Sequence, residues 1–86
     1  MKRDEILKTA ESLICKDREA DYGTPEDSFR AIAELWSVHL GETVTAHDVA
    51  IMMALLKIAR IQSGRFKADS YIDACGYLAC AGEIGE

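Results

Sequence analysis

Eight consecutive apolar residues, Val49-Ala50-Ile51-Met52-Met53-Ala54-Leu55-Leu56, constrain this chain more than any other feature. Thr45 stands just before the run with an acid, Asp48, three residues on, the pattern of a capping box at a helix start. Charge first returns at Lys57 and Arg60, and Ser63-Gly64 closes the segment. A helix that is apolar nearly all round has to be covered on most of its sides. It is therefore the central helix of a bundle, an oligomer interface, or both.

Three further helices are expected around it. Ile6, Leu7, Ala10, Leu13 and Ile14 recur at helical spacing over Asp4 to Asp17, and Tyr22-Gly23 ends that segment, because glycine accepts the left-handed backbone that closes a helix. Thr24-Pro25-Glu26-Asp27 opens the next one. Threonine caps, proline at the first helical position loses no hydrogen bond, and the two acids suit the positive end of the helix dipole. Its apolar face is Phe29, Ile32, Ala33, Trp36 and Leu40, and Gly41 stops it. The last helix begins near Asp69 or Ser70 and reads Ala74-Cys75-Gly76-Tyr77-Leu78-Ala79-Cys80-Ala81-Gly82 in its interior. Each glycine there costs a helix about 1 kcal/mol against alanine, which points to close packing of another backbone. Strand signals are weak. The fold class expected is all-α, a small antiparallel bundle of about four helices.

With 86 residues the chain has room for one domain, spanning residues 1–86, and its core is small for its surface. Completion by self-association is the natural remedy. A net charge of -5 argues against general nucleic-acid binding, which rests on many Lys and Arg against phosphates. No apolar run approaches the length that crosses a bilayer, and Met1-Lys2-Arg3-Asp4-Glu5 does not begin a signal peptide. A cytoplasmic protein with no membrane partner is expected. Cys15, Cys75 and Cys80 are odd in number and lack finger spacing, so reduced, buried thiols are expected rather than disulfides or zinc.

Three constellations carry possible chemistry. Arg18, Asp21, Tyr22 and Gly23 lead into a helix start, where free N–H groups suit a phosphate; a guanidinium adds a bidentate contact and Tyr22 a stacking face. The plain alternative is a helix connection in which Tyr22 packs and Gly23 turns. Lys57 and Arg60 share one face of an otherwise apolar helix. They either pair with Asp69 and Asp73 on the next helix or form a cationic pocket wall, since unpaired charge is costly to bury. Asp17 with Asp21, and Asp69 with Asp73, are two carboxylate pairs of spacing four that together offer oxygen ligands for Mg²⁺. Among 15 acids such pairs also arise by chance.

Several stretches carry a family resemblance: Asp17-Arg18-Glu19-Ala20-Asp21-Tyr22-Gly23 with Pro25-Glu26-Asp27, Phe29 to Trp36, Asp48-Val49-Ala50 through Met52-Met53 to Leu55-Leu56-Lys57-Ile58-Ala59-Arg60, and Asp73 with Gly76-Tyr77. On these the chain resembles a small phage- and prophage-associated family of unknown function. More distantly it is similar to nucleotide-modification-associated phage domains and to MazG-like helical pyrophosphohydrolases. Those hydrolases carry an E-x-x-E and an E-x-x-D pair, and neither stands at a matching place here. In size, acidity and helical character the chain is also similar to phage proteins that trap nucleotide immune signals.

The leading expectation is a non-enzymatic homo-oligomer that binds, and sequesters, a nucleotide or cyclic nucleotide without a cofactor. Its ligand residues are Arg18, Tyr22, Gly23, Lys57, Arg60, Asp73 and Tyr77. One alternative is a Mg²⁺-dependent pyrophosphohydrolase using Asp17, Asp21, Asp69 and Asp73. Another is an adaptor that inhibits a host protein.

Overall fold

A computed structural model describes the backbone of the chain and the side chains of all residues except Asp17, Arg18 and Tyr22. Every described element is helical, as the apolar spacing predicts. The first is α1, Arg3–Ser12. It continues into a π-helical turn, Leu13–Asp17, and a short α2, Arg18–Tyr22. Then come α3, Pro25–Leu40, α4, Ala46–Ser63, and α5, Ala68–Gly85.

Local chemistry sets these ends. Thr24 Oγ1 accepts from the Asp27 N–H at 3.3 Å, and Pro25 is the first helical residue of α3. Gly41 closes α3 at φ 71°, donating its N–H to the Ser37 carbonyl. The capping box of α4 is complete: Asp48 N–H reaches Thr45 Oγ1 at 3.0 Å, and Thr45 N–H reaches Asp48 Oδ2 at 3.0 Å. That backbone hydrogen bond and the Thr45 hydroxyl hold the Asp48 carboxyl below the ordinary carboxylate range. The connection from α3 to α4 is tied by Ser37, whose Oγ lies 2.7 Å from the Ala33 carbonyl and accepts from the Val44 N–H at 2.8 Å.

The first helical segment follows a helical path as far as Tyr22, where Tyr22-Gly23 is expected to end it, but with a widened turn at Leu13–Asp17. Such single π-helical turns are rare and recur beside functional sites.

α5 runs antiparallel along α4. Lys57 meets Asp73 midway, and His47 lies against Gly85 at the far end. α1 packs on α5, and α3 packs on α4. The buried residues are mostly small: Ala10, Ala33, Ala50, Ala54, Ala74 and Ala81, with Val49, Ile72 and Cys80. Small side chains let helix axes approach closely but remove little apolar area from water. At Gly76 the approach is tightest, since a Cβ there would stand 2.8 Å from Ile14 Cγ2. Gly82 behaves differently. It is exposed, and among the described residues nothing lies within 4 Å of where its Cβ would be, so none of them requires a glycine there.

The α4 run is central, yet its cover is incomplete. Val49, Ala50 and Ala54 are sealed, whereas Met52, Leu55 and Leu56 remain exposed. Among the described residues no helix is long and apolar enough to cross a membrane.

Candidate functional site

The π-helical turn, the start of α3 and the middle of α5 enclose a cavity of about 230 Å³. Ala10, Leu13 and Ile14 line it from the first segment, Phe29 and Ile32 from α3, and Ile72, Gly76, Tyr77 and Cys80 from α5. Gly23 and Pro25 border it where the chain turns into α3; Gly23 makes that turn at φ 82°. The rings of Phe29 and Tyr77 are 6.1 Å apart and tilted by 38°, a favourable aromatic contact that leaves both rings on the wall. A volume of this size is just below the range of about 300–1,000 Å³ for drug-sized ligands, and so fits one ring system.

Among the described residues the wall carries the polar side chains of Glu19, Ser28 and Asp73 beside the Tyr77 hydroxyl. Asp73 Oδ2 lies 2.9 Å from Lys57 Nζ, with the two side chains 20% and 17% exposed. Burial pushes the Cys80 thiol above its ordinary range, and the charges of Glu83 and Glu26 push the same way. The interior is therefore apolar with carboxylate acceptors at its edge. That environment disfavours a phosphate inside and suits a neutral ring carrying N–H donors.

The structure sorts the described ligand residues expected from the sequence into three groups. Gly23, Asp73 and Tyr77 meet at the cavity. Lys57 is engaged by Asp73. Arg60 is exposed and lines a separate shallow depression with Ser63, Gly64, Arg65, Lys67 and Ser70. The side chains of Arg18, Tyr22 and Asp17 lie outside those described. Of the carboxylates considered for Mg²⁺, Asp21 and Asp69 are exposed and Asp73 is held by Lys57. Among the described residues no three His, Cys, Asp or Glu side chains gather as a metal site. Phe29, Ile14 and Cys80 read as core in the sequence and are wall residues in the structure. Their shared signal is indirect: Gly76 beside Tyr77 on α5 lets a neighbouring segment approach the ring.

The register of α4 on α5 relates the cavity to the depression. Lys57 faces Asp73; Arg60 is about one turn further along α4, and Ser70 about one turn back along α5. The two features thus follow one another along the same helical seam.

Cysteine chemistry reports on this geometry. Cys15 is exposed, Cys75 is half-buried and Cys80 is buried in the cavity wall. A thiolate-directed reagent near neutral pH should modify Cys15 first, Cys75 more slowly and Cys80 last. Because burial shifts the Cys80 thiol upward, its rate should rise only above the ordinary thiol range. Mass-spectrometric peptide mapping with time reads this order, and equal rates at all three would show the cavity standing open in solution.

Comparison with known proteins places the chain among phage proteins. A family model described as "Domain of unknown function (DUF6378)" matches residues 5–85. The Gene 55 protein of Mycobacterium phage D29 is 39% identical over 83 residues, which cover 96% of this chain and 55% of that protein. The Gene 55 protein of Mycobacterium phage L5 is 42% identical over 73 residues, covering 84% of this chain and 47% of that protein. The chain spans about half the length of these curated relatives. No solved structure matches it.

Proposed function

The chain belongs to the DUF6378 family, whose relatives here are phage proteins, and from that membership and its cavity we propose that it is a nucleotide-binding module. The apolar cavity walled by Phe29 and Tyr77, with the Asp73 carboxylate on its edge, carries this reading. A base enters the cavity and contacts the Tyr77 ring, while Asp73 or Glu19 accepts from its N–H groups. The phosphates stay outside, along the α4–α5 seam toward Arg60, because none of the described residues that line the interior is a cation. A linear or a cyclic nucleotide fits this division. A module that holds such a ligand without reacting it sequesters it, and a homo-oligomer multiplies the capacity.

Native mass spectrometry of the purified chain with a mixture of linear and cyclic nucleotides tests the reading. One nucleotide of defined mass should be retained intact. Tyr77→Ala should weaken its binding by about tenfold, the order of a lost base–aromatic stack, with helix content unchanged. Retention of no nucleotide, or full binding by the Tyr77→Ala chain, would sink the proposal. Mg²⁺-dependent release of pyrophosphate from the same mixture would replace it with the hydrolase reading.

One observation favours a second reading, an adaptor for a host protein. Leu35 and Val38, three residues apart on α3, are strongly exposed, and large apolar side chains adjacent on one helix face suit a protein partner. A single stoichiometric protein recovered from host lysate, lost on Val38→Glu, would support it.

A further inference from the structure

The outer face of α4 carries an exposed apolar stripe that the cavity does not explain. Met52, Leu55 and Leu56 are 41%, 56% and 43% exposed, and Ala59 is exposed one turn on. At about 3.6 residues per turn these four form one stripe. It lies on the side of the helix opposite Ala50, Ala54 and Lys57, which face inward, Lys57 reaching Asp73 on α5. No charge interrupts the stripe between Asp48 and Arg60. Residues spaced i, i+3, i+4 and i+7 are the seam along which one helix packs on another.

We infer that a second copy of the chain seats antiparallel on this face of α4. The size pattern is self-complementary in that orientation. A two-fold axis near Leu55 and Leu56 sets each leucine against the other one in the second copy, and sets Met52 against Ala59, long against short. The charge pattern is complementary too. Glu42 and Asp48 stand exposed at the start of α4, and Arg60, Arg65 and Lys67 at and beyond its end. Among the described residues none of these three cations makes an ion pair within the chain. Antiparallel pairing brings each basic end to an acidic end and opposes the two helix dipoles, whereas parallel pairing stacks like on like. The contact is isologous and closes on itself, so it stops at a dimer. The stripe of one helix is narrower than a standard interface of about 800 Å² per partner, so the dimer dissociates on dilution. This inference concerns a different face from the cavity and stands whether or not a nucleotide binds there.

Sedimentation equilibrium of the ligand-free chain tests it. The mass should rise with concentration from 9.5 kDa toward twice that value. Leu55→Glu should hold the chain at the monomer mass with unchanged helical circular dichroism; if that variant loses helix, Met52→Lys is read in its place. Val38→Glu, on the exposed side of α3, should leave the dimer intact. Orientation is read by disulfide trapping after Cys15→Ser, Cys75→Ser and Cys80→Ala. Chains carrying Met52→Cys should cross-link to chains carrying Ala59→Cys, and neither should cross-link to itself. A monomer at every concentration, a dimer that survives Leu55→Glu, or same-position cross-links would overturn the inference. None of these outcomes bears on nucleotide retention, which is measured separately.

Discussion

Lys57→Met should lower the stability of the chain by about 2 kcal/mol. The Lys57–Asp73 pair is short, and both side chains are about four-fifths buried. Exposed pairs contribute about 0–1 kcal/mol, and breaking a buried pair costs about 3–5 kcal/mol, because the abandoned charge stays desolvated. Partial exposure puts this pair between those limits. In a chain of this size the loss corresponds to a fall in Tm of about 10 °C. Removing both charges with Lys57→Met and Asp73→Leu should recover most of it, since a packed apolar pair is a fair substitute for an ion pair. A double-mutant cycle by urea denaturation gives the coupling. If Lys57 were a free ligand cation, Lys57→Met would leave Tm unchanged and affect only binding. The pair therefore separates the two roles that spacing on α4 left open.

The two α5 glycines should respond to alanine with opposite signs. At Gly76 the new methyl meets Ile14 Cγ2 at 2.8 Å, and a β-branched side chain has few rotamers to retreat into. Overpacking of this kind costs about 1–3 kcal/mol, against about 1 kcal/mol of gained helix propensity. Gly76→Ala should therefore destabilise by about 1 kcal/mol and loosen the first segment from α5. Gly82→Ala meets no atom and should stabilise by about 1 kcal/mol. Chemical denaturation of the two variants beside the parent measures the divergence. Stabilisation by both would mean that Ile14 does not rest on Gly76 in solution.

Much of this molecule follows from local chemistry that the sequence displays. Thr24-Pro25, the Thr45–Asp48 capping box, and the turns at Gly23 and Gly41 mark helix ends because each satisfies backbone groups within a few residues. All-helical structure and the central place of Val49–Leu56 were legible for the same reason: they depend on short spacings. Membership of a phage-associated family was legible through the resemblance of particular stretches. The π-helical turn at Leu13–Asp17 carries no such signal, since it changes one hydrogen-bond offset and leaves the apolar periodicity looking α-helical.

Rotation and proximity between helices were decided only in the tertiary structure. Lys57 and Arg60 share a face by spacing, yet the angle at which α5 meets α4 gives Asp73 to Lys57 and leaves Arg60 in another depression. The cavity likewise joins Ile14, Phe29 and Tyr77, residues far apart in the chain whose meeting depends on how closely Gly76 lets two segments approach. The apolar run had to be buried somewhere, but which side stays bare depends on how many helices surround it. Caps and periodicity are short-range properties of one segment, whereas pairing, cavities and uncovered faces arise from the relative placement of several, and no spacing within one helix encodes that placement.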